Sequence, residues 1–338
     1  MLSDAVNAPS IIFRADASPA MGGGHVMRCL AIAEASTTSG AAVAFATGAD
    51  SLDAAPALAA VPRRSPEPSA ADVVLIDGYH LGAAEAEAWA QAGVAVAVLD
   101  DAPERPRPCA LRIDPTPGRT AEQYRTVAPG ARLLLGPDFA PMRPIYTRLR
   151  PPTLARRARW APVQVVLVSL GLTDAAGLAP AAAEEALRAC PGAAVDVAVG
   201  SGAASLSALR SLAADERRLT LHIDAPNVPE LTAAADLAVG AAGVSCWERC
   251  ALGLPTVTVV AAENQQANAD ALTRTGAAAV ASDTEAIRPM LEALAGDGPA
   301  RQAMSQAAAG LCDGAGARRI ADELLALAVA RRRSAGLR

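Results

Sequence analysis

The chain has 338 residues, of which 52% are hydrophobic and only 3% aromatic, and it carries a formal net charge of −5. That length and apolar content suffice for two packed cores of small aliphatic side chains, and the scarcity of rings excludes aromatic stacking as the main binding chemistry. All 30 basic residues are arginine, which excludes a P-loop ammonium and a Schiff-base mechanism, and the acidic balance argues against a nucleic-acid partner.

In chain order, short β-rich apolar runs fall at Ile11 to Arg14, Val43 to Ala46, Val73 to Ile76, Val94 to Leu99 and Arg132 to Leu135, with Ala-rich helical stretches between most of them. Such alternation predicts a parallel sheet covered by helices on both faces. The run Arg148 to Arg159 contains Pro151 and Pro152 and reads as a solvated hinge. The pattern then restarts, with runs at Val163 to Ser169, Val195 to Val199, Leu219 to Ile223, Leu237 to Val239 and Thr256 to Val260. The expected architecture is therefore α/β, with two doubly wound Rossmann-like domains facing across a cleft lined by the carboxyl ends of both sheets. The expected boundaries are 9–149 and 163–314, joined by a linker at 150–162. A last helix, 315–333, is expected to pack back on the N-terminal domain.

No run of about twenty apolar residues occurs, and the opening MLSDAVNAPS lacks the basic and apolar regions of a signal peptide, so a cytoplasmic protein with no membrane partner is expected. Six scattered cysteines without a CxxC pair predict reduced, buried thiols and no metal site.

Five polar constellations stand at predicted strand ends. After the first strand come Arg14, Asp16 and the glycine turn Gly22-Gly23-Gly24-His25, followed by a helical pattern. The turn fails the dinucleotide fingerprint, because Met27 stands where the third small residue belongs and no acidic residue closes the second strand, so NAD is not expected. An imidazole at the mouth of such a turn fits a general base, with Asp16 as the nearest group to orient it; it equally fits a helix cap or a phosphate contact. After the third strand, Asp77-Gly78-Tyr79-His80 offers a carboxylate and a phenol for sugar hydroxyl or amide groups, although a single Asp in such a loop more often caps the next helix. His80 reads as structural. Asp100 and Asp101 are adjacent, point to opposite faces and receive no catalytic part.

In the second half, Ser169-Leu170-Gly171-Leu172-Thr173-Asp174 is placed to touch phosphate or sugar. Gly240 to Gly243 followed by Ser245 makes a diphosphate-sized anion site without lysine; Ser245 and Glu248 also fit an S-x-x-E capping box. Asn264 and Gln265 close a polar cluster whose amides suit sugar oxygens or an N-acetyl group. Cys246 and Cys250, one helical turn apart, read as core.

These residues resemble a known family, the UDP-2,4-diacetamido-2,4,6-trideoxy-β-L-altropyranose hydrolases of pseudaminic acid biosynthesis. The likeness rests on FRADAS and GGGHVMRCLAIA between Phe13 and Ala33, then IDGYHL, VLDD, LLLGPDFAPMRP, VSLG, and GAAGVSCWERCALGLPTVTVVAAENQ over Gly240 to Gln265. The resemblance implies a GT-B-like fold akin to the GlcNAc transferase that makes lipid II, with UDP held by the C-terminal domain. It implies that His25 is the catalytic base with Asp16 beside it, and that Glu248 holds the uridine ribose. Asn264 would contact sugar, and Arg14, Gly24, Asp77, Tyr79, Ser169, Gly171, Gly243, Ser245 and Gln265 would line the substrate. The implied reaction is an inverting, cofactor-free and metal-independent hydrolysis of the UDP-linked diacetamido sugar; the oligomeric state is not legible in the sequence, and a monomer is the default expectation. The rivals are a glycosyltransferase with a UDP-sugar donor and a non-catalytic sugar-nucleotide-binding protein. One departure is Leu172, which stands where the family often has glycine.

Overall fold

The structure is a computed structural model and describes residues 8–18, 21–159 and 161–336. Residues 1–7 of the opening stretch, Pro19 and Ala20 in the first domain, and Trp160 in the expected linker lie outside the described residues. The chain divides into two compact units: residues up to Pro144 with those from Ala315 onward, and Ile145–Gly314.

The first unit has a seven-stranded sheet built from β1 (Ser10–Ala15), β2 (Ala42–Ala46), β3 (Arg63–Arg64), β4 (Val73–Asp77), β5 (Ala95–Leu99), β6 (Leu111–Asp114) and β7 (Arg132–Leu135), in the order β3-β2-β1-β4-β5-β6-β7. Its helices are α1 (Gly24–Thr38), the short α2 (Ser51–Ala54) and α3 (Ala83–Gln91). The second unit contains α4 (Ile145–Arg157), β8 (Val165–Ser169), α5 (Ala179–Ala189), β9 (Ala194–Val199), α6 (Leu206–Asp215), β10 (Leu219–Ile223) and α7 (Val228–Ala234). It continues through β11 (Leu237–Ala241), α8 (Ser245–Ala251), β12 (Thr256–Val259), α9 (Gln266–Thr275), β13 (Ala279–Ala281), α10 (Ile287–Gly296) and α11 (Gly298–Leu311). The six strands run in the order β10-β9-β8-β11-β12-β13. Every pairing in both sheets is parallel.

Both orders reverse direction beside the unit's first long strand, between β1 and β4 and between β8 and β11. At such a reversal the following helices leave on opposite faces, and the strand ends open a crevice for ligands. The strands bury both faces, with Val73–Ile76 and Val166–Val168 each at 0–1% exposure, so they read as near-continuous apolar runs.

Three strands escaped the sequence reading. β3 and β13 have only two and three residues, too short for a periodicity. β6 reads Leu-Arg-Ile-Asp, and its Arg112 is fully buried because it pairs with Asp100 at 3.2 Å. A buried ion pair hides a central strand from any apolar pattern.

The segment 150–162 is not a solvated linker over its first half. Ile145–Arg157 is helical despite Pro151 and Pro152, each of which removes a backbone donor from the helix interior. Tertiary bonds hold it. Arg150 donates to the carbonyls of Ala251 (2.5 Å), Ala309 (2.6 Å) and Cys312 (3.0 Å). Arg157 donates to Thr232 (2.9 Å), Ala235 (2.7 Å) and Leu252 (2.9 Å), and Arg156 to Ala233, Ala234 and Ala235 within 2.8–3.0 Å. The arginine run thus satisfies carbonyls left open at the ends of α7, α8 and α11.

The last helix, α12 (Gly316–Ser334), lies in the first unit. Its Ile320, Ala321, Leu324 and Ala328 join the core formed by Val26, Cys29 and Ile32 of α1. Arg332 binds Asp72 at 2.9 Å and the carbonyl of Ala8 at 2.6 Å. Among the described residues, no helix is long and apolar enough to cross a membrane.

Candidate functional site

In the first unit, β4 ends on Asp77, whose register neighbours are Ala15 of β1 and Leu99 of β5. The carboxylate is fully buried, so it must collect donors or be expelled. Helix α1 supplies them. Gly23 precedes the helix, Gly24 opens it, and His25, Arg28 and Cys29 fall at i, i+3 and i+4 on one face. His25 Nδ1 lies 2.7 Å from Asp77 Oδ1, Arg28 Nη2 donates to the same oxygen at 2.5 Å, Arg28 Nε donates to Oδ2 at 2.6 Å, and Cys29 Sγ donates at 3.6 Å. Burial alone would raise the Asp77 pKa, but Arg28 and then His25 hold it well below the usual carboxylate range. The same burial and the Asp77 charge push the Cys29 thiol well up.

An ionised carboxylate only accepts. Arg28 Nη2 also lies 3.1 Å from Nδ1, but the carboxylate is closer at 2.7 Å, so in the neutral ring the Asp77 contact assigns the proton to Nδ1 and the lone pair to Nε2. The His25 side chain keeps 11% exposure. Tyr79 packs edge-on against it, with centroids 4.9 Å apart and planes at 87°. The Tyr79 hydroxyl donates to Asp101 at 3.0 Å, Arg105 lies over its ring at 5.0 Å and donates to its carbonyl at 3.0 Å, and Arg107 donates to the Gly78 carbonyl at 2.8 Å. Asp100 turns the other way, into the buried pairs with Arg107 and Arg112.

The carboxylate on His25 is thus Asp77, and Asp16 is placed elsewhere. Asp16 stands two residues beyond Arg14 on the same side of an extended chain. It accepts from Arg14 (2.7 Å), Gly48 N (2.7 Å) and Thr47 (3.3 Å), and it contacts His80 Nε2 at 2.8 Å. Burial opposes ionisation of Asp16, but the Gly48 amide, Arg14 and His80 together lower its pKa. Arg14 also binds Glu85 at 3.0 Å. His80 is exposed, yet its bond ties the loop after β4 to the loop after β1. Sequence reading placed Asp77 at a strand end but missed its partner Arg28. The available signal was the i, i+3 spacing from His25.

In the second unit, Ser169 closes β8 and pairs in register with Gly240 of β11, so the loops after these strands are neighbours at the reversal. Gly171 takes φ +108, and Leu172 is 40% exposed. Among the described residues the non-glycine residues with positive φ are Asp174 and Asp224, so Leu172 sits in this loop without left-handed strain. Asp174 is spent on structure: it accepts from Leu178 N and Ala179 N, both at 3.1 Å, and from Ser205 Oγ.

Ser245 is the first residue of α8 and Val244 is its cap, with no side-chain capping bond, so the S-x-x-E box does not form. The chain enters the helix one residue earlier than a box would require. Ser245 Oγ accepts from Arg249 at 3.2 Å instead. Glu248 is half-buried, while Cys246 and Cys250 are core residues at 1% and 3% exposure. Asn264 and Gln265 lie on the short turn Glu263–Gln265. Gln265 accepts from Ala261 N at 3.0 Å, and its amide nitrogen sits 3.3 Å from the place a Cβ on Gly243 would take, which brings Gln265 onto the Gly240–Ser245 turn. Asn268, not foreseen, donates to the Ala242 carbonyl at 2.9 Å.

Residues 195–324 match the glycosyltransferase family 28 C-terminal domain. No curated protein matches the sequence. Among solved structures, the chain is similar to MurG of Acinetobacter baumannii, at 15% identity and a TM-score of 0.63, covering 94% of this chain and 99% of that one. It is similar to the UDP-GlcNAc 2-epimerase from Neisseria meningitidis bound to UDP-GlcNAc, at 13% identity and a TM-score of 0.64, covering 94% and 100%. It is also similar to the spinosyn rhamnosyltransferase SpnG complexed with thymidine diphosphate, at 16% identity and a TM-score of 0.60, covering 96% and 99%. With the strand orders of both sheets, these likenesses identify the fold as GT-B-like, two Rossmann-like units carried on one chain.

Proposed function

We propose that this protein hydrolyses a UDP-linked sugar, with His25 as the general base that activates water. The observation that carries the reading is the 2.7 Å contact between His25 Nδ1 and the buried, ionised Asp77, which leaves Nε2 as the basic nitrogen. Nε2 takes a proton from water while the water oxygen bonds to the anomeric carbon and the bond from that carbon to the UDP oxygen breaks. The products are free sugar, inverted at the anomeric centre, and UDP. The imidazolium formed keeps its proton on Nδ1 and donates it to Asp77, whose charge stabilises the ring, and Tyr79 fixes the ring from the side. The Gly240–Ser245 turn, Glu248, Asn264 and Gln265 are assigned to UDP and sugar. The resemblance carried by the motifs between Phe13 and Gln265 supports UDP-2,4-diacetamido-2,4,6-trideoxy-β-L-altropyranose as the substrate of this reading. The nucleotide sugars and nucleotides named for the similar structures support the ligand class.

A second reading, transfer of the sugar to an alcohol, is favoured by the match of residues 195–324 to a glycosyltransferase domain. One experiment separates the two. Proton NMR of the protein with the UDP-sugar in heavy-oxygen water and plain buffer is expected to show steady UDP release, label in the sugar, and loss of at least 100-fold in rate for His25→Ala. Label in UDP, release that requires an added alcohol, or near-normal turnover by His25→Ala would each overturn hydrolysis by His25.

A further inference from the structure

The buried arginines of this chain neutralise themselves in two ways. Arg28, Arg107 and Arg112 face carboxylates. Arg301 collects several backbone carbonyls, those of Leu294, Ala295 and Ala161 within 2.7–2.8 Å, as the half-buried Arg157 does with those of Thr232, Ala235 and Leu252. Arg249 does neither. It is 3% exposed, and among the described residues no carboxylate lies within ion-pair distance of it. Its Nη2 donates to the Ala241 carbonyl at 2.5 Å, its Nη1 donates to Ser245 Oγ at 3.2 Å, and its Nε has no partner. The guanidinium lies flat beneath Gly240, where an added Cβ would stand 2.4 Å from Cζ and 2.5 Å and 2.7 Å from Nη1 and Nη2.

A cation held out of water without a counter-ion destabilises the protein that carries it, unless an anion completes the site. Two features say where that anion sits. Ser245 Oγ accepts from Arg249, so the hydroxyl's own hydrogen is left to donate to another acceptor. The turn follows β11 beside β8, the reversal point at which open parallel sheets receive their ligands. In a chain without lysine, this guanidinium under a glycine turn supplies a fixed positive charge that a phosphate chain needs and a neutral nucleoside does not.

We infer that Arg249 is the fixed counter-charge for a nucleoside diphosphate bound at the Gly240–Ser245 turn, a positioning residue that acts through Ser245 and the turn's backbone. The inference rests on the reading of this protein as a UDP-sugar enzyme, and it adds the residue that discriminates nucleotide from nucleoside.

The test is calorimetric titration of the full chain with UDP and, in parallel, with uridine. Arg249→Met is expected to weaken UDP by on the order of 10- to 100-fold, the range of one charge-assisted hydrogen bond, and to leave uridine within about twofold. Arg249→Lys is expected to recover part of the UDP affinity. Ser245→Ala, with the arginine intact, is expected to give the same selective loss, and it serves as the variant of record if circular dichroism shows Arg249→Met unfolded. Equal losses for UDP and uridine would mark Arg249 as structural and overturn the inference, as would unchanged UDP affinity in a folded Arg249→Met or in Ser245→Ala. Wild-type protein that binds neither ligand would overturn the UDP-sugar reading itself, an outcome distinct from either variant result.

Discussion

Asp77→Asn is the sharpest test of the buried network. Asparagine keeps the shape of Asp77 but offers one oxygen and one NH2 to a pocket whose donors are Arg28 Nε, Arg28 Nη2, His25 Nδ1 and Cys29 Sγ. If the amide nitrogen takes the Oδ2 position it meets Arg28 Nε; if it takes Oδ1 it meets Arg28 Nη2 and His25. His25 can relieve that clash only by moving its proton to Nε2, which removes the base. Arg28 is 5% exposed and, among the described residues, has only Asp101 at 3.9 Å as another acid. Removing one member of such a pair costs about 3–5 kcal/mol. For a unit of 150–250 residues each kcal/mol shifts the unfolding midpoint by about 2–4 °C, so the expected fall is about 6–20 °C. Turnover at a temperature where the variant stays folded is expected to fall by about 10²–10⁴-fold. Scanning calorimetry reads the first and UDP release the second. A midpoint within about 2 °C of wild type, or full turnover, would refute the assignment of Asp77 as the buried anchor of both Arg28 and His25.

Three further outcomes follow from other parts of the chain. Gly316→Ala places a Cβ 2.2 Å from the Ala140 carbonyl oxygen and 2.7 Å from its nitrogen; backbone cannot step aside, so a loss of about 1–3 kcal/mol in chemical denaturation of the first unit is expected. Burial works against ionisation of Asp72, but Arg332 and Ser10 overcome it and lower the pKa. Its contribution is therefore complete above the unfolded value of about 3.9 and disappears as pH falls through the lower folded value, so the stability gap between wild type and Asp72→Asn is expected to narrow between pH 5 and pH 2. Arg157→Met leaves the carbonyls of Thr232, Ala235 and Leu252 without their donor and is expected to destabilise the second unit by about 1–3 kcal/mol, with little effect on the melting of the first.

The alternation of apolar runs with Ala-rich helices was enough to read both sheets, because parallel strands buried on two faces must be apolar throughout. What the alternation could not show was β6, where Arg112 exchanges the apolar pattern for an ion pair with Asp100, or α4, where Pro151 and Pro152 signal a break that Arg150, Arg156 and Arg157 override through bonds 75 to 162 residues away. The site divides in the same manner. His25 and Asp77 each stand at a strand-end motif and were legible singly, but their pairing spans 52 positions and lies across two strands. Sequence proximity pointed to Asp16, and geometry chose Asp77. Arg249 was invisible for a related reason: in a helix reading Ser-Cys-Trp-Glu-Arg-Cys-Ala it looks like an ordinary polar position, and its inward course depends on the room that Gly240 leaves by lacking a side chain.

Because the core of the first unit includes residues of Gly316–Ser334 packed on α1, that unit can mature only after the ribosome has passed the whole of the second unit and the last helix. The second unit, encoded without interruption from Ile145 to Gly314, is complete earlier and can condense while its predecessor still waits for a partner. Termination just after Gly314 would therefore cripple the half translated first, the one bearing His25, and spare the half translated later.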